Sequence, residues 1–258
     1  MKLGLVTYNL AKDWDIDTII EMCTEHGFSG VEPRTTHAHG VEVDLSAEER
    51  EAVRKKFEAS SVQLAGLGSA FEYHSPDPEE LKRNIEGTKE YAQLAADVGA
   101  PGIKVRPNAL PEEVPEAETL KQIGQSLAEC AEYADGLGIE VRLEVHGHDT
   151  ANPTRIRRIL DHAGHSNLYA CWNSNAGEVV NGSVRDNFEL LSDSIGLVHM
   201  RDLCTDDYPW LELLGLLRTI DYSGYCLAEI PESDQPGRIM DYYRSLWDAY
   251  HRILDLEA

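Results

Sequence analysis

Positive charge is scarce in this chain: 23 lysines and arginines stand against 46 aspartates and glutamates, leaving a formal charge of -23 over 258 residues. The excess acid is spread along the amphipathic segments and forms no tail, so it reads as a solvated surface that keeps the chain soluble; adaptation to high salt fits the same composition. A nucleic-acid backbone would be repelled on average, which argues against nucleic acid as a partner. Long apolar runs are missing as well. No stretch is long enough to span a membrane, and the opening MKLGLVTYNLAKDW has neither the apolar core nor the cleavage site of a signal peptide, so a cytoplasmic protein without a membrane partner is expected. Five cysteines, an odd number with no CxxC pair, fit reduced thiols and not a disulfide framework. The lone sequon Asn181-Gly182-Ser183 is then accidental. A dinucleotide loop is absent, since Gly66-Leu67-Gly68 lacks its third glycine. No Ser/Gly/Pro tract or low-complexity run interrupts the hydrophobic pattern, so residues 1–258 are expected to form one domain.

What the chain does have is an alternation, eight times over, of short apolar runs and longer amphipathic segments. The strands are expected at Leu3–Tyr8, Gly30–Arg34, Gln63–Leu67, Gly102–Arg106, Glu140–Val145, Tyr169–Asn173, Gly196–Met200 and Tyr225–Ile230. Helices are expected near 15–26, 46–60, 78–98, 115–135, 153–163, 183–193, 209–219 and 236–253. Asp77-Pro78 and Asn152-Pro153 are helix starts of the cap-plus-proline type, Ser46 and Glu49 have capping-box spacing, and Gly27, Gly99 and Gly136 fall where helices should stop. Eight such units close into a (β/α)8 TIM barrel, whose working end is where the strands' C-terminal ends converge.

The strands of the second half each end on a polar side chain: Glu144, Asn173, His199 and Glu229. Two carboxylates, an imidazole and an amide oxygen converging on one small volume make most of a shell for a divalent ion. A carboxylate at the end of an apolar strand needs a neutralising partner. A metal supplies one; a salt bridge to Arg34, Arg106 or Arg201 is the alternative. The order of GLVTYNL, GVEPR, LEVHG, CWNSN, LVHMRDL and LAEIPES along the chain resembles the sugar-phosphate isomerase/epimerase superfamily of xylose isomerase-like barrels. That resemblance covers nearly the whole chain. It implies a metal quartet of Glu, Asp, His and Glu on strands five to eight, falling on Glu144, Asn173, His199 and Glu229, with Mn, Mg, Zn, Co or Fe as the ion. The chain departs from the pattern at Asn173, where the superfamily has Asp, and at Ala176, where it often has His. The resemblance also implies that Glu144 and Glu229 act as the catalytic pair that removes and returns a proton beside a carbonyl; a purely structural pair of ligands is the alternative.

The first half of the barrel is expected to supply the substrate wall. Glu32, Arg34, His37 and His39 lie in or just after the second strand; the two histidines read either as ligands of substrate or a second metal, or as a solvated loop pair, and His74 either binds substrate or enters the next helix. Lys104 and Arg106 share one face of their strand, a cationic spot that suits a sugar carboxylate or phosphate, or equally the neutralisation of Glu144. His146, just past Glu144, and Arg201, just past His199, complete the candidate substrate contacts, and Asp202 is a candidate to orient a metal ligand. Trp172 and Trp210 either stack on a sugar or pack against helices. The leading expectation is a metal-dependent isomerase or epimerase of a small sugar or keto-polyol, with dehydration a close variant. A metal-dependent hydrolase of the endonuclease IV type and a barrel that only binds sugar are the alternatives. A homo-oligomer is possible, although no helix shows an exposed apolar stripe.

Overall fold

The computed structural model describes residues 1–257. Nine strand segments run through it: β1 (Lys2–Val6), β2 (Gly30–Glu32), β3 (Gln63–Leu64), β4 (Leu67–Glu72), β5 (Gly102–Arg106), β6 (Glu140–Glu144), β7 (Leu168–Trp172), β8 (Ile195–Met200) and β9 (Tyr225–Ala228). The helices between and after them are α1 (Ile16–His26), α2 (Ala47–Glu58), α3 (Pro78–Val98), α4 (Glu116–Asp135), α5 (Pro153–Ala163), α6 (Arg185–Glu189), α7 (Trp210–Thr219) and α8 (Pro236–Glu257). Every ladder is parallel, in the order β3-β2-β1-β9-β8-β7-β6-β5-β4. The two ends of that order, β3 and β4, are one barrel position broken at Ala65-Gly66. Closure is carried just beyond the break, where the Gly68 N–H donates to the Pro33 carbonyl and the Thr35 N–H to the Gly68 carbonyl, both at 2.8 Å. The fold is therefore a (β/α)8 TIM barrel with eight strand positions. No helix is long and apolar enough to cross a membrane among the described residues.

Local chemistry sets the element ends. Asp15, Ser46, Asp77 and Asn152 each accept a backbone N–H of the helix they start, and Ser46 with Glu49 completes both bonds of a capping box. Gly27, Gly99 and Gly164 close helices in the left-handed conformation. After α4 the left-handed turn falls on Gly138, φ 71°, and Gly136 stays right-handed. The third strand runs farther than its apolar run suggests, through Glu72, because backbone pairing to β5 continues past a register shift between Gly68 and Glu72. The sixth helix is short, five residues in place of the broader segment 183–193, and Phe188 and Leu191 on either side of its end are both buried.

Alternation along the strands separates the two sides of the barrel wall. Ile103, Val105, Val141, Leu143, Val198 and Met200 face outward into the large core beneath the helices. Inside the barrel a second, small cluster of Val6, Ala65, Cys171, Leu197 and Leu227 plugs the floor. The next inward positions, one layer toward the strands' C-terminal ends, are Glu32, Lys104, Glu144, His199 and Glu229. Gly68 leaves room for them, since a Cβ there would lie 2.9 Å from Glu32 Oε1.

Candidate active site

The cavity above that floor is small, about 110 Å3, and its wall is charged: Glu32, Lys104, Glu144, His199 and Glu229 from five strand positions, with Tyr8, Arg34, Arg106 and His146 around the rim. A wider depression of about 790 Å3, lined by residues such as Met1, Arg218, Asp221, Tyr222 and His251, lies at the opposite, N-terminal end of the strands.

The centre is a chain of alternating charge. Lys104 Nζ donates to Glu144 Oε2 at 2.8 Å, with both side chains almost fully buried. His199 stands between two carboxylates, its Nδ1 3.4 Å from Glu144 Oε1 and its Nε2 3.2 Å from Glu32 Oε1. These contacts are ionic in distance without the alignment of hydrogen bonds, so both Glu32 oxygens and both His199 nitrogens remain buried without a hydrogen-bond partner. Burial alone would raise the Glu144 carboxyl; the Lys104 ammonium and His199 outweigh it and hold the group well below the usual carboxylate range. For His199 burial acts against the charged ring, yet Cys171, Glu32 and Glu144 together keep its proton well above the ordinary histidine range. Of these the carboxylates carry the charge, because burial pushes the Cys171 thiol up and keeps it protonated. Glu229 has no such clamp. Burial pushes its carboxyl up, with His199 opposing and Glu144 reinforcing the shift.

Whether this centre suits a divalent ion follows from its donors. Asn173 Oδ1 is buried and unpartnered, as a ligand oxygen would be. Of the other three expected ligands, Glu144 and His199 are engaged otherwise and only Glu229 is left without a partner: Glu144 Oε2 is held by Lys104, and both His199 nitrogens face carboxylates, an arrangement suited to a ring protonated on both sides. A metal ligand needs a free lone pair. As placed, the residues do not fit the ion; no group of three His, Cys, Asp or Glu is positioned to hold one among the described residues.

The candidate residues divide into those that meet in the cavity and those that do not. Glu144, His199, Glu229, Lys104, Arg106 and His146 line it together, and Asn173 lies outside the lining. Arg106 is already committed to Glu72 Oε1 at 2.6 Å, and His74 Nδ1 lies 3.9 Å from Glu72 Oε2, away from the cavity. His39 uses both ring nitrogens to shape its loop, one against the Arg34 carbonyl at 2.7 Å and one accepting the Val41 N–H at 3.0 Å. His37 lies outside the lining, against Thr7 Oγ1 at 2.9 Å and stacked on Tyr8; burial, helped by Arg34, lowers its pKa to about 4, so the ring is neutral. Arg201 turns back to the Ser174 carbonyl at 2.8 Å and to Asp207. Trp172 and Trp210 are buried packing residues.

Glu32 and Arg34, expected on the substrate wall, line the cavity, and Tyr8 joins them without a signal in the sequence. A carboxylate at an inward strand position, in the same layer as Glu144, is the signal that singles out Glu32. Arg34 lies over the Tyr8 ring at 5.5 Å and has no ion-pair partner among the described residues, so its charge is free at the mouth.

Behind β7 lies a further buried carboxylate, Glu178, that no sequence pattern marks. Trp172 Nε1 donates to Tyr208 Oη at 2.8 Å, Tyr208 donates to Glu178 Oε2 at 2.7 Å, and Asn175 Nδ2 donates to Glu178 Oε1 at 3.1 Å. Burial pushes the Glu178 carboxyl up to about 7 against these donors. The unfolded chain releases that proton at an ordinary glutamate pKa, so between the two values the folded state binds more protons and stability falls as pH rises. Denaturant unfolding at several pH values should show wild type losing about 3 kcal/mol relative to Glu178→Gln between roughly pH 4 and 8. Parallel curves for the two proteins would remove Glu178 as the source.

The loop that carries His146 is fixed by Gly147. Its φ is 96°, and a Cβ there would collide with the Asn108 carbonyl in the neighbouring loop. Gly147→Ala is therefore expected to cost more than about 1 kcal/mol, and thermal unfolding that matches wild type would contradict this.

Comparison with known proteins agrees with the architecture. No curated protein matches the sequence. Among solved structures, an L-ribulose 3-epimerase superposes with a TM-score of 0.84 at 14% identity, over 100% of this chain and 97% of that one. A D-psicose 3-epimerase from Clostridium cellulolyticum H10, solved with D-tagatose, gives 0.80 at 15% identity over 98% and 99%. The IolI protein with a bound zinc atom gives 0.77 at 16% identity over 98% of each chain. Such identities speak for the fold. The family model described as xylose isomerase-like TIM barrel matches residues 20–246, and the chain belongs to that family.

Proposed function

We propose that the protein is an isomerase or epimerase of a small sugar or keto-polyol, moving a proton on a carbon next to a carbonyl. The observation that carries this reading is the unequal carboxylate pair in one cavity: Glu144 clamped as a carboxylate by Lys104, and Glu229 left without a clamp and pushed up by burial. Environments that drive two acids apart are how one site separates acid and base tasks. The structural neighbours with sugar-epimerase activities support the same class.

In this mechanism Glu229 takes the proton from carbon, the C–H electron pair forms the carbon–carbon double bond, and the carbonyl π electrons move to oxygen. Reprotonation of the same carbon from the opposite face completes epimerisation; protonation of the former carbonyl carbon, with the hydroxyl proton of the adjacent carbon passing to the old carbonyl oxygen, completes isomerisation. Glu144 can return a proton only after gaining one, and Lys104 Nζ at 2.8 Å and His199 Nδ1 at 3.4 Å are the donors in reach. Arg34, free of a carboxylate partner, suits a substrate oxygen at the mouth. The divalent ion implied by the sequence resemblance is the second reading, favoured by the orphaned Asn173 Oδ1; it requires Lys104 to leave Glu144.

The direct test is deuterium incorporation from heavy water into a panel of ketoses, followed by NMR. Incorporation next to the carbonyl is expected. A panel without exchange, under conditions with and without added Mn2+, would reject the proposal.

A further inference from the structure

The cavity's negative charge already has a cation built into the chain. Lys104 projects from β5 in the inward direction, one strand over from Glu144 on β6, and its ammonium reaches Glu144 Oε2 at 2.8 Å. Glu144 is the residue on which the expected ion would depend most, and Lys104 holds one of its two oxygens. Asn173, where the sequence resemblance implies an aspartate, brings no charge. A site with two glutamates and a histidine, an amide at residue 173 and a lysine among them carries a positive charge of its own.

The ammonium has three N–H donors and spends one on Glu144, its only hydrogen bond among the described residues. The others remain for the cavity, whose wall Lys104 shares with Glu229 and His199. A fixed cation beside the position where an oxygen becomes negative stabilises the transition state more than the ground state.

Resting on the proton-transfer reading above, we propose that Lys104 is a catalytic residue which takes the place of the divalent ion. Its ammonium donates a hydrogen bond to the substrate carbonyl oxygen and meets the charge that grows there as the carbon proton passes to Glu229. The electrons released from the C–H bond end on that oxygen and return when carbon is reprotonated, so no oxidant or reductant is needed. The centre works without metal.

Two measurements on the full chain after chelator treatment test this. Calorimetric titration with Mn2+ is expected to show no stoichiometric binding by wild type, and ketose deuterium exchange is expected to be unchanged by EDTA or by Mn2+. Lys104→Met should lower exchange by about 100-fold or more, chiefly in kcat, which is the size of effect seen when one oxyanion donor is removed. Lys104→Arg, which keeps a charged donor, should retain part of the rate. In Lys104→Met/Asn173→Asp, with the cation removed and the acid restored, Mn2+ binding should appear. Wild type that binds one Mn2+ per chain, or that exchanges only when Mn2+ is present, overturns the Lys104 assignment while the proton-transfer reading stands. Wild type that exchanges with no ketose under either condition rejects both. These wild-type arms decide the question even if a Lys104 variant fails to fold.

Discussion

Glu229→Gln is expected to slow ketose deuterium exchange by about 10²–10⁴-fold, the usual worth of a positioned general base, while leaving the fold intact. The side chain makes no hydrogen bond among the described residues, and its backbone N–H is held separately by the Met200 carbonyl at 2.8 Å. An amide of the same shape therefore removes the base without removing a support. Burial of the carboxyl is relieved, so stability should be unchanged or slightly higher. The pH profile carries an independent sign. A base must be ionised to work, and burial raises Glu229, so kcat/KM in wild type should climb with pH through a midpoint above the ordinary glutamate range. Exchange by Glu229→Gln at the wild-type rate would remove Glu229 from the reaction and would leave the family resemblance untouched.

The parts of this molecule that were legible beforehand are those whose cause is local. The strand Gly102–Arg106 and the helices at 78–98 and 153–163 lie where the sequence places them, because an apolar run, a cap with its proline and a closing glycine specify them within a few residues. The inward layer of the site was legible in part: the strand-end position that brings Glu144, His199 and Glu229 to the cavity was expected to bring Asn173 as well, and Asn173 lies outside the lining. What each side chain does once inside is decided by residues far away in sequence. Lys104 could serve a substrate anion or neutralise Glu144, and only the spacing of β5 and β6 brings it to the carboxylate. His39 could have faced a ligand; its loop folds so that the Arg34 carbonyl and the Val41 N–H take both ring nitrogens. Glu178 has no regular strand or helix period to mark it, since it sits in a short 3₁₀ turn, and its partner Tyr208 comes from a different loop.

The Lys104–Glu144 pair also predicts the largest change in stability. Removing one member of a buried ion pair leaves the other charge without compensation in a medium that solvates it poorly, at a cost of about 3–5 kcal/mol. Lys104→Met should therefore unfold on the order of 10 °C below wild type, because Glu144 would then face Glu32 with only His199 between them. Glu144→Leu should be similarly destabilised, with the ammonium stranded instead. The double replacement Lys104→Met/Glu144→Leu removes both charges and should recover most of the loss, since well-packed apolar groups often replace a buried pair at little or no cost. Thermal unfolding of the four proteins closes a double-mutant cycle, and the coupling energy should be large and favourable. Single variants that add to the double without coupling would mean that water or another group neutralises each charge, and that the pair does not organise the cavity. A stable but inactive double variant has a further meaning. The fold does not need this ion pair, which is retained for its position at the mouth, where a fixed positive charge and a fixed carboxylate stand next to an unclamped Glu229.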